Sequence, residues 1–485
     1  MQCKSQLLAA WWLFLLLSVA SASDLRIVEA AKNQDKDGVR ALLTRHADVN
    51  AEQGDGATAL HWAAHWDDLE MAAALLRAGA KVNATNELGV TPLYLACSNG
   101  NAAMAESLLA AGANPNMTAA TGVSPLMNAA ASGSVDAVKA LLARGANPNA
   151  KESAKGQTAL MWATAERHPD VVRELINHGA DVHARSKSNG SLVFVAREGN
   201  QALDDRGLSK TIETGGSTPL LFAAQQGDVE SGKLLLRAGV SPNETDASGN
   251  SALVIAAHSG QAAFAVFLLD NAADPNAAGT GYTALHAAVL RGKADLVKAL
   301  LAHGADPNAR IANGTPIRRY GPDYALTGSQ VGATAFWMAA KYASVDMLAA
   351  LAAGGADPKL ATDEGVTPLM AAVTATARTA GVRGAARVDD AHILETSKAV
   401  LDLGGSVNSA NQAGDTALHI AASRGHTALV QLLVERGAEV NAKNKRGQTP
   451  LALAMVRFKA TAEILRKLGA TEPISANADR PDRTE

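Results

Sequence analysis

The chain has 485 residues, of which 47% are hydrophobic and 19% charged, and its 44 basic and 47 acidic side chains leave a formal net charge of −3. No block of like charge stands out, which argues against nucleic acid as a ligand. Length alone suggests about three domains, but an internal period replaces that expectation with one continuous array.

The amino terminus reads Met1-Gln2-Cys3-Lys4, then an apolar run from Leu7 to Ala20, then the small residues Ala20-Ser21-Ala22. That is the pattern of a cleavable signal peptide over residues 1–22. The run is shorter than the roughly 20 apolar residues that cross a bilayer, so cleavage is expected rather than anchoring. No later segment is apolar enough to span a membrane. The expected compartment is the periplasm or the exterior, and the expected state is a monomer. Cys3 leaves with the signal and Cys97 remains, so no intrachain disulfide can form. Stability must then come from packing between repeated units.

A short phrase, Gly-x-Thr/Ser-Pro/Ala-Leu/Phe, occurs eleven times, with its Thr or Ser at 58, 91, 124, 158, 218, 251, 283, 334, 367, 416 and 449. The spacing is 33 residues, interrupted by three insertions of about 27, 18 and 16 residues. In Gly122-Val123-Ser124-Pro125-Leu126-Met127-Asn128-Ala129-Ala130, Ser124 is placed to cap a helix and Pro125 to occupy its first turn. Gly133 is expected to end that helix. Val135, Val138, Leu141 and Leu142 then form one apolar stripe on a second helix that stops at Gly145. Glycines expected to play the same part are Gly79, Gly112, Gly179, Gly239, Gly304, Gly355, Gly405 and Gly437. After each stop the chain extends into a finger closed by a turn. Ala272 stands where the stop glycine should be, so a different turn is expected there. His183 and Lys359 replace the Asn that precedes the finger, and the finger after His183 is expected to be remodelled.

Thr-Pro-Leu-His-x-Ala-Ala followed by Leu-Leu-x-x-Gly-Ala-Asp-x-Asn resembles the ankyrin repeat family over essentially the whole mature chain. Gly414-Asp415-Thr416-Ala417-Leu418-His419-Ile420-Ala421-Ala422 comes close to the family pattern. The implied fold is all-α: an ankyrin-repeat α-solenoid of about 12 stacked helix-turn-helix units with β-turn fingers, spanning residues 24–470. Residues 24–50 and 447–470 are read as caps. The insertions fall at about 185–215, 310–331 and 374–391, the first two at fingers and the third between two helices. Residues 471–485 read as a polar tail. The Ala-rich repeats and the insertions also resemble exported bacterial ankyrin proteins.

Chemistry-bearing residues are few. His61, His286 and His419 fall beside the capping Thr, where the ring is expected to bond backbone. His61, His65, Asp67 and Asp68 lack the companions of a metal site. Gly279-Thr280-Gly281 superficially resembles a dinucleotide loop but has no strand before it. Cys97 is expected to be a buried filler. No cofactor, metal or catalytic group is expected. Asn-x-Ser/Thr triplets occur at Asn83, Asn116, Asn189, Asn243 and Asn313, and they are expected to matter only on a eukaryotic secretory route.

The resemblance implies a concave groove lined by fingers and by the exposed ends of first helices. Carried over position by position, the groove residues include His65, Trp66, Gln225, Gln226, Leu290, Arg291, Lys341 and Tyr342, with Trp66, Arg291 and Tyr342 as the expected anchors. Trp62 and Trp162 are expected in the core. Tyr94 and Trp337 replace the family's His, and packing and partial exposure remain open for both. In the second insertion Arg318, Arg319, Tyr320 and Tyr324 set two guanidinium groups beside two phenols, which suits a carboxylate, a sugar face or an acidic peptide. The leading expectation is an exported, non-enzymatic scaffold for an unknown protein partner. A binder of a glycan, small molecule or cell-wall fragment at 310–331 is the alternative, and an enzyme or inhibitor the third.

Overall fold

The computed structural model describes residues 25–194, 209–312, 330–376 and 388–471. Residues 1–24, where a signal peptide is expected, the residues beyond 471 and the centres of all three insertions lie outside the described residues. Two compact units are present: one runs up to Lys187 and includes Lys233–Val240, and the other comprises Ser188–Gly232 and the chain from Ser241.

The first unit contains ten helices in five pairs: α1 (Arg26–Lys32) and α2 (Lys36–Thr44), α3 (Ala59–His65) and α4 (Leu69–Arg77), α5 (Pro92–Ser98) and α6 (Ala102–Ala110), α7 (Pro125–Ser132) and α8 (Val135–Ala143), α9 (Ala159–Ala165) and α10 (Pro169–Asn177). Odd-numbered helices pack in succession on one another, and so do even-numbered ones, giving two layers. The second unit opens with an antiparallel hairpin, β1 (Ser188–Phe194) and β2 (Ser209–Gly215), in register from Ser188 opposite Gly215 to Phe194 opposite Ser209. Next come α11 (Pro219–Gln226) and α12 (Val229–Arg237), through which the unit boundary passes. Six further pairs follow: α13 (Ala252–His258) and α14 (Ala262–Asp270), α15 (Ala284–Leu290) and α16 (Ala294–Ala302), α17 (Ala335–Lys341) and α18 (Val345–Ala353), α19 (Pro368–Val373) and α20 (Asp390–Asp402), α21 (Ala417–Arg424) and α22 (Thr427–Glu435), α23 (Pro450–Met455) and α24 (Lys459–Lys467). The twelve pairs make the protein all-α, with the insertion hairpin as its pair of strands among the described residues.

Each first helix starts where the sequence requires it. The Ser124 hydroxyl accepts the Met127 N–H at 3.3 Å, and Thr91 and Thr334 do the same for Tyr94 and Trp337 at 3.1 and 3.2 Å. These bonds satisfy amides that a helix N-terminus leaves without partners. Ala59, Ala63 and Ala64, and likewise Ala129 and Ala130, are fully buried, so methyl-sized side chains set the closeness of neighbouring first helices. Leu75, Leu108, Leu141 and Leu175 fill the space between the two layers with no exposed surface.

Two of the expected turns differ. Ala272 does not open a different turn: it adopts φ +63°, and Ala273 N–H bonds Leu268 O at 3.0 Å, as Ala80 N–H bonds Leu75 O after Gly79. The surrounding repeat holds an L-residue in a left-handed conformation that costs roughly 1–2 kcal/mol. In the tenth pair the left-handed stop is Gly404, at φ +98°, rather than Gly405.

The insertions leave the scaffold at defined points. The first extends its finger into the β1–β2 hairpin. The second departs from a finger whose base closes normally: Ile311 N–H bonds Ala333 O at 2.9 Å and Gly332 N–H bonds Ile311 O at 2.7 Å. Asn86, Gly89 and Val90 make the same two bonds in an ordinary finger. The third lies between α19 and α20.

Candidate interaction surface

Three kinds of tie hold fingers against neighbouring repeats. An Asn amide before the finger donates to the carbonyl of the following helix stop and accepts an N–H two residues beyond it. Asn116, for example, donates from Nδ2 to Gly145 O at 2.9 Å and accepts Asn147 N–H at 2.8 Å. Asn50, Asn83 and Asn149 do the same in the first unit, and Asn243, Asn276, Asn308, Asn408 and Asn441 in the second. Finger backbones bond directly as well, as in Ala120 N–H to Leu88 O at 2.8 Å. The glycosylation-like triplets at Asn83, Asn116 and Asn243 are therefore clamp residues, with both amide atoms engaged.

The third tie is the histidine of the repeat phrase. His61, His286 and His419 each place Nδ1 against the capping Thr, 2.9 Å from its Oγ1, and Nε2 against the next finger, 3.0 Å from Val90 O, 3.1 Å from Ala309 O and 3.1 Å from Gln448 O. Burial lowers the pKa of His286 to about 4 and also lowers that of His61, since a desolvated imidazole resists protonation. Trp337 performs the same service, its indole N–H reaching Val366 O at 2.9 Å, and it is buried. Tyr94 is half-buried, and its backbone carbonyl lies 3.4 Å from the Asn128 amide.

The first unit exposes an aromatic cluster. His65 is exposed and Trp66 retains 42% of its surface. Trp62 is not in the core. It is half-buried, stacks on Trp66 at 6.3 Å between ring centroids, and donates its N–H to Gln53 Oε1 at 3.2 Å. Trp162 is likewise half-buried and bonds Gln157 rather than a neighbouring repeat. Each ring keeps its apolar face at the layer edge and its N–H at a finger, as an amphipathic side chain does. At the next finger Leu88 is 67% exposed.

In the second unit, Gln225 is exposed and Gln226 half-buried at the end of α11. Beside them is a cavity of about 210 Å³ whose lining includes Leu221, Phe222, Gln225, Asp246, Ile255 and Tyr282. Arg291 is half-buried, with Nη2 3.5 Å from Ser259 O, and its neighbour Leu290 is buried rather than facing a groove. Lys341 donates to Thr374 O at 2.9 Å, and Tyr342 accepts the Gln330 amide at 3.0 Å. Both therefore brace neighbouring chain. Arg318, Arg319, Tyr320 and Tyr324 lie outside the described residues. The sequence did not point to Asp246 and Tyr282, because they come from two different fingers that only stacking brings together.

Reactive groups have structural partners. Asp68 caps Met71 N–H and pairs with Lys36 at 3.0 Å, and Asp67 accepts the Asn99 amide at 3.1 Å. Cys97 is fully buried, and burial pushes its thiol up to about 12. Gly279 sits against the Gly249 backbone, where a Cβ would lie 2.5 Å from Gly249 O, so the glycine-rich turn is required by finger packing. Among the described residues no three His, Cys, Asp or Glu side chains converge on a metal position, and no helix is long and apolar enough to cross a membrane.

Family models described as ankyrin repeats match residues 27–119, 103–186 and 220–311, and a further one matches residues 400–454. No curated protein matches the chain.

Proposed function

The chain belongs to the ankyrin repeat family, whose stacked repeats serve as scaffolds for protein–protein interaction, and on that premise we propose a non-enzymatic, exported scaffold that grips a protein partner through its fingers and the exposed ends of its first helices. The observation that supports this reading is the Trp62–His65–Trp66 cluster with Leu88. Trp66 keeps 42% and Leu88 67% of its surface in solvent, and Trp is the residue most enriched at binding hot spots. Export, to the periplasm or beyond a bacterial cell, rests on the apolar leader at 7–20 followed by Ala20-Ser21-Ala22.

Affinity capture from the exporting cell, with the mature chain and with a Trp66→Ala, Leu88→Ser double variant, tests the proposal. Leu88 is largely exposed and Trp66 is partly so, its indole N–H donating to Lys32 O at 3.1 Å, so the variant should melt within the loss of that one hydrogen bond, about 1 kcal/mol, of the parent. The variant is expected to lose the captured protein by at least about tenfold, the effect of removing one hot spot. Equal capture by both would remove this surface from consideration. The glycan alternative draws no support from the described residues: Arg310, at the neck of the second insertion, is joined to Asp363 at 2.9 Å and to Ala361 O at 3.0 Å.

A further inference from the structure

We propose that the cavity among the sixth, seventh and eighth repeats is a receptor for one lysine side chain of the partner. The inference deepens the interaction reading above, since its guest belongs to a protein, and it rests on that reading. At about 210 Å³ the cavity is smaller than the roughly 300–1,000 Å³ of sites that hold small molecules or cofactors, which fits a single side chain.

Its walls and floor differ in character. Leu221, Phe222 and Ile255 offer an apolar lining, Phe222 and Tyr282 add aromatic surface, and Asp246 supplies a carboxylate. No ion pair among the described residues involves Asp246, while Lys36, Arg40, Arg173, Arg310 and Arg436 all have acidic partners. An acidic guest would meet the carboxylate, and an aliphatic one would cover it without compensation. A long aliphatic stem ending in a cation matches both halves of the cavity.

The choice between lysine and arginine follows from the hydrogen bonds Asp246 already makes. Its Oδ1 accepts Ser248 N–H and Asn250 N–H, each at 2.9 Å, and its Oδ2 accepts the Asn250 amide at 2.9 Å. A carboxylate offers about four lone-pair positions, so one is left. A guanidinium fork needs two parallel acceptors, whereas an ammonium satisfies itself with one and shares its other protons with nearby oxygens. Tyr282 and Gln225, whose side chains carry such oxygens, line the same space. Burial, with Asp246 as a second cause, pushes the Tyr282 phenol up to about 12, so it stays neutral and can accept.

The charge of Asp246 is not needed by its finger. At the equivalent place Asn86 accepts Leu88 N–H and Val90 N–H at 3.0 and 2.9 Å, Asn411 accepts Ala413 and Asp415 N–H, and Asn444 accepts Arg446 and Gln448 N–H. Three fingers thus form the same turn with a neutral amide. Asp246→Asn is expected to keep the fold while removing the charge.

The test titrates the full mature chain with n-butylammonium, which is the lysine side chain alone, and follows the methyl groups of Leu221 and Ile255 by NMR. Saturable shifts confined to those methyls are expected. Asp246→Asn should weaken binding by about tenfold, the scale of one lost charge-assisted hydrogen bond. Phe222→Leu, which keeps bulk and removes the ring, should weaken it severalfold and covers the case in which Asp246→Asn perturbs the finger. n-Butylguanidinium and n-butanol should bind more weakly than the ammonium. Absence of saturable shifts, equal binding of n-butanol, or affinity unchanged in both variants would overturn the proposal. The capture experiment is independent of it: a partner retained with no ammonium site leaves the scaffold and removes the pocket, and an ammonium site with no partner does the reverse.

Discussion

Residues 48–181 and residues 357–439 are built from the same repeat, yet their finger ties differ. In the first stretch the Asn clamp passes without a break through Asn50, Asn83, Asn116 and Asn149. In the second, Lys359 stands at the clamp position before the repeat that carries the third insertion, and a lysine has no acceptor for the N–H that the amide would take. The finger backbones still bond there, as in Gln412 N–H to Glu364 O at 2.9 Å. Added length alone does not break a rung. Asn308 reaches Gly355 O and Asp357 N–H across the whole second insertion, because that loop leaves from the finger tip beyond the clamp. The rung depends on the residue type at one position, while stacking survives without it because apolar contact and backbone bonds remain.

The strongest way to probe this comparison is to strike the kind of tie that both stretches share through His61 and His419, the buried histidine, at its third occurrence, His286, which lies between the two stretches in sequence. His286 has a folded pKa of about 4 against an ordinary value near 6.5, so as pH falls the unfolded chain takes up the proton first. Its contribution to stability is complete above about pH 6.5 and is lost progressively down to about pH 4, roughly 3 kcal/mol in all. Urea unfolding at pH 7 and 4.5 should show this loss, and His286→Asn should flatten it. An acid limb of the same steepness in the variant would assign the loss to other groups.

Removing a rung from the unbroken stretch is the next largest effect. Asn116→Ala deletes two bonds at 2.8–2.9 Å and leaves Gly145 O and Asn147 N–H to water, for a cost of about 2 kcal/mol. Hydrogen exchange should rise in the neighbouring repeats as well, because each repeat is stable only against its neighbours. Exchange confined to the finger itself would mean that the rung is decorative. The smallest effect runs the other way: Lys359→Asn should add roughly 0.5–1 kcal/mol by supplying the missing amide, measured as a shift in urea midpoint at constant slope. A lower midpoint would show that the third insertion occupies the space the rung needs.

Much of the fold was legible because each local signal named its own role. The capping Ser124 and Thr91, Gly133 and Gly145 at helix ends, and the 33-residue spacing all act within one repeat. The errors arose where a neighbour decides. Trp62 and Trp162 looked like core from their helical positions, but their indole N–H groups find finger glutamines at the layer edge. Leu290, one residue from the half-buried Arg291, turned out buried. Ala272 was expected to redirect its turn, yet the stack around it holds the left-handed geometry. For the candidate surface, His65, Trp66 and Gln225 are exposed, with the Trp66 indole N–H also tied to Lys32 O 34 residues away, whereas the less exposed Lys341 and Tyr342 are drawn into bonds with chain 33 and 12 residues away.

By itself the sequence determined the repeat, its two helices, its capping and its family, because period and caps are properties of consecutive residues. Only the tertiary structure decided which side chains share a space. Asp246 and Tyr282 are 36 positions apart in the sequence and line one cavity because successive fingers lie side by side, and the clamp asparagines could be recognised as ties only once the carbonyl 28–30 residues onward was seen opposite each amide in uninterrupted repeats.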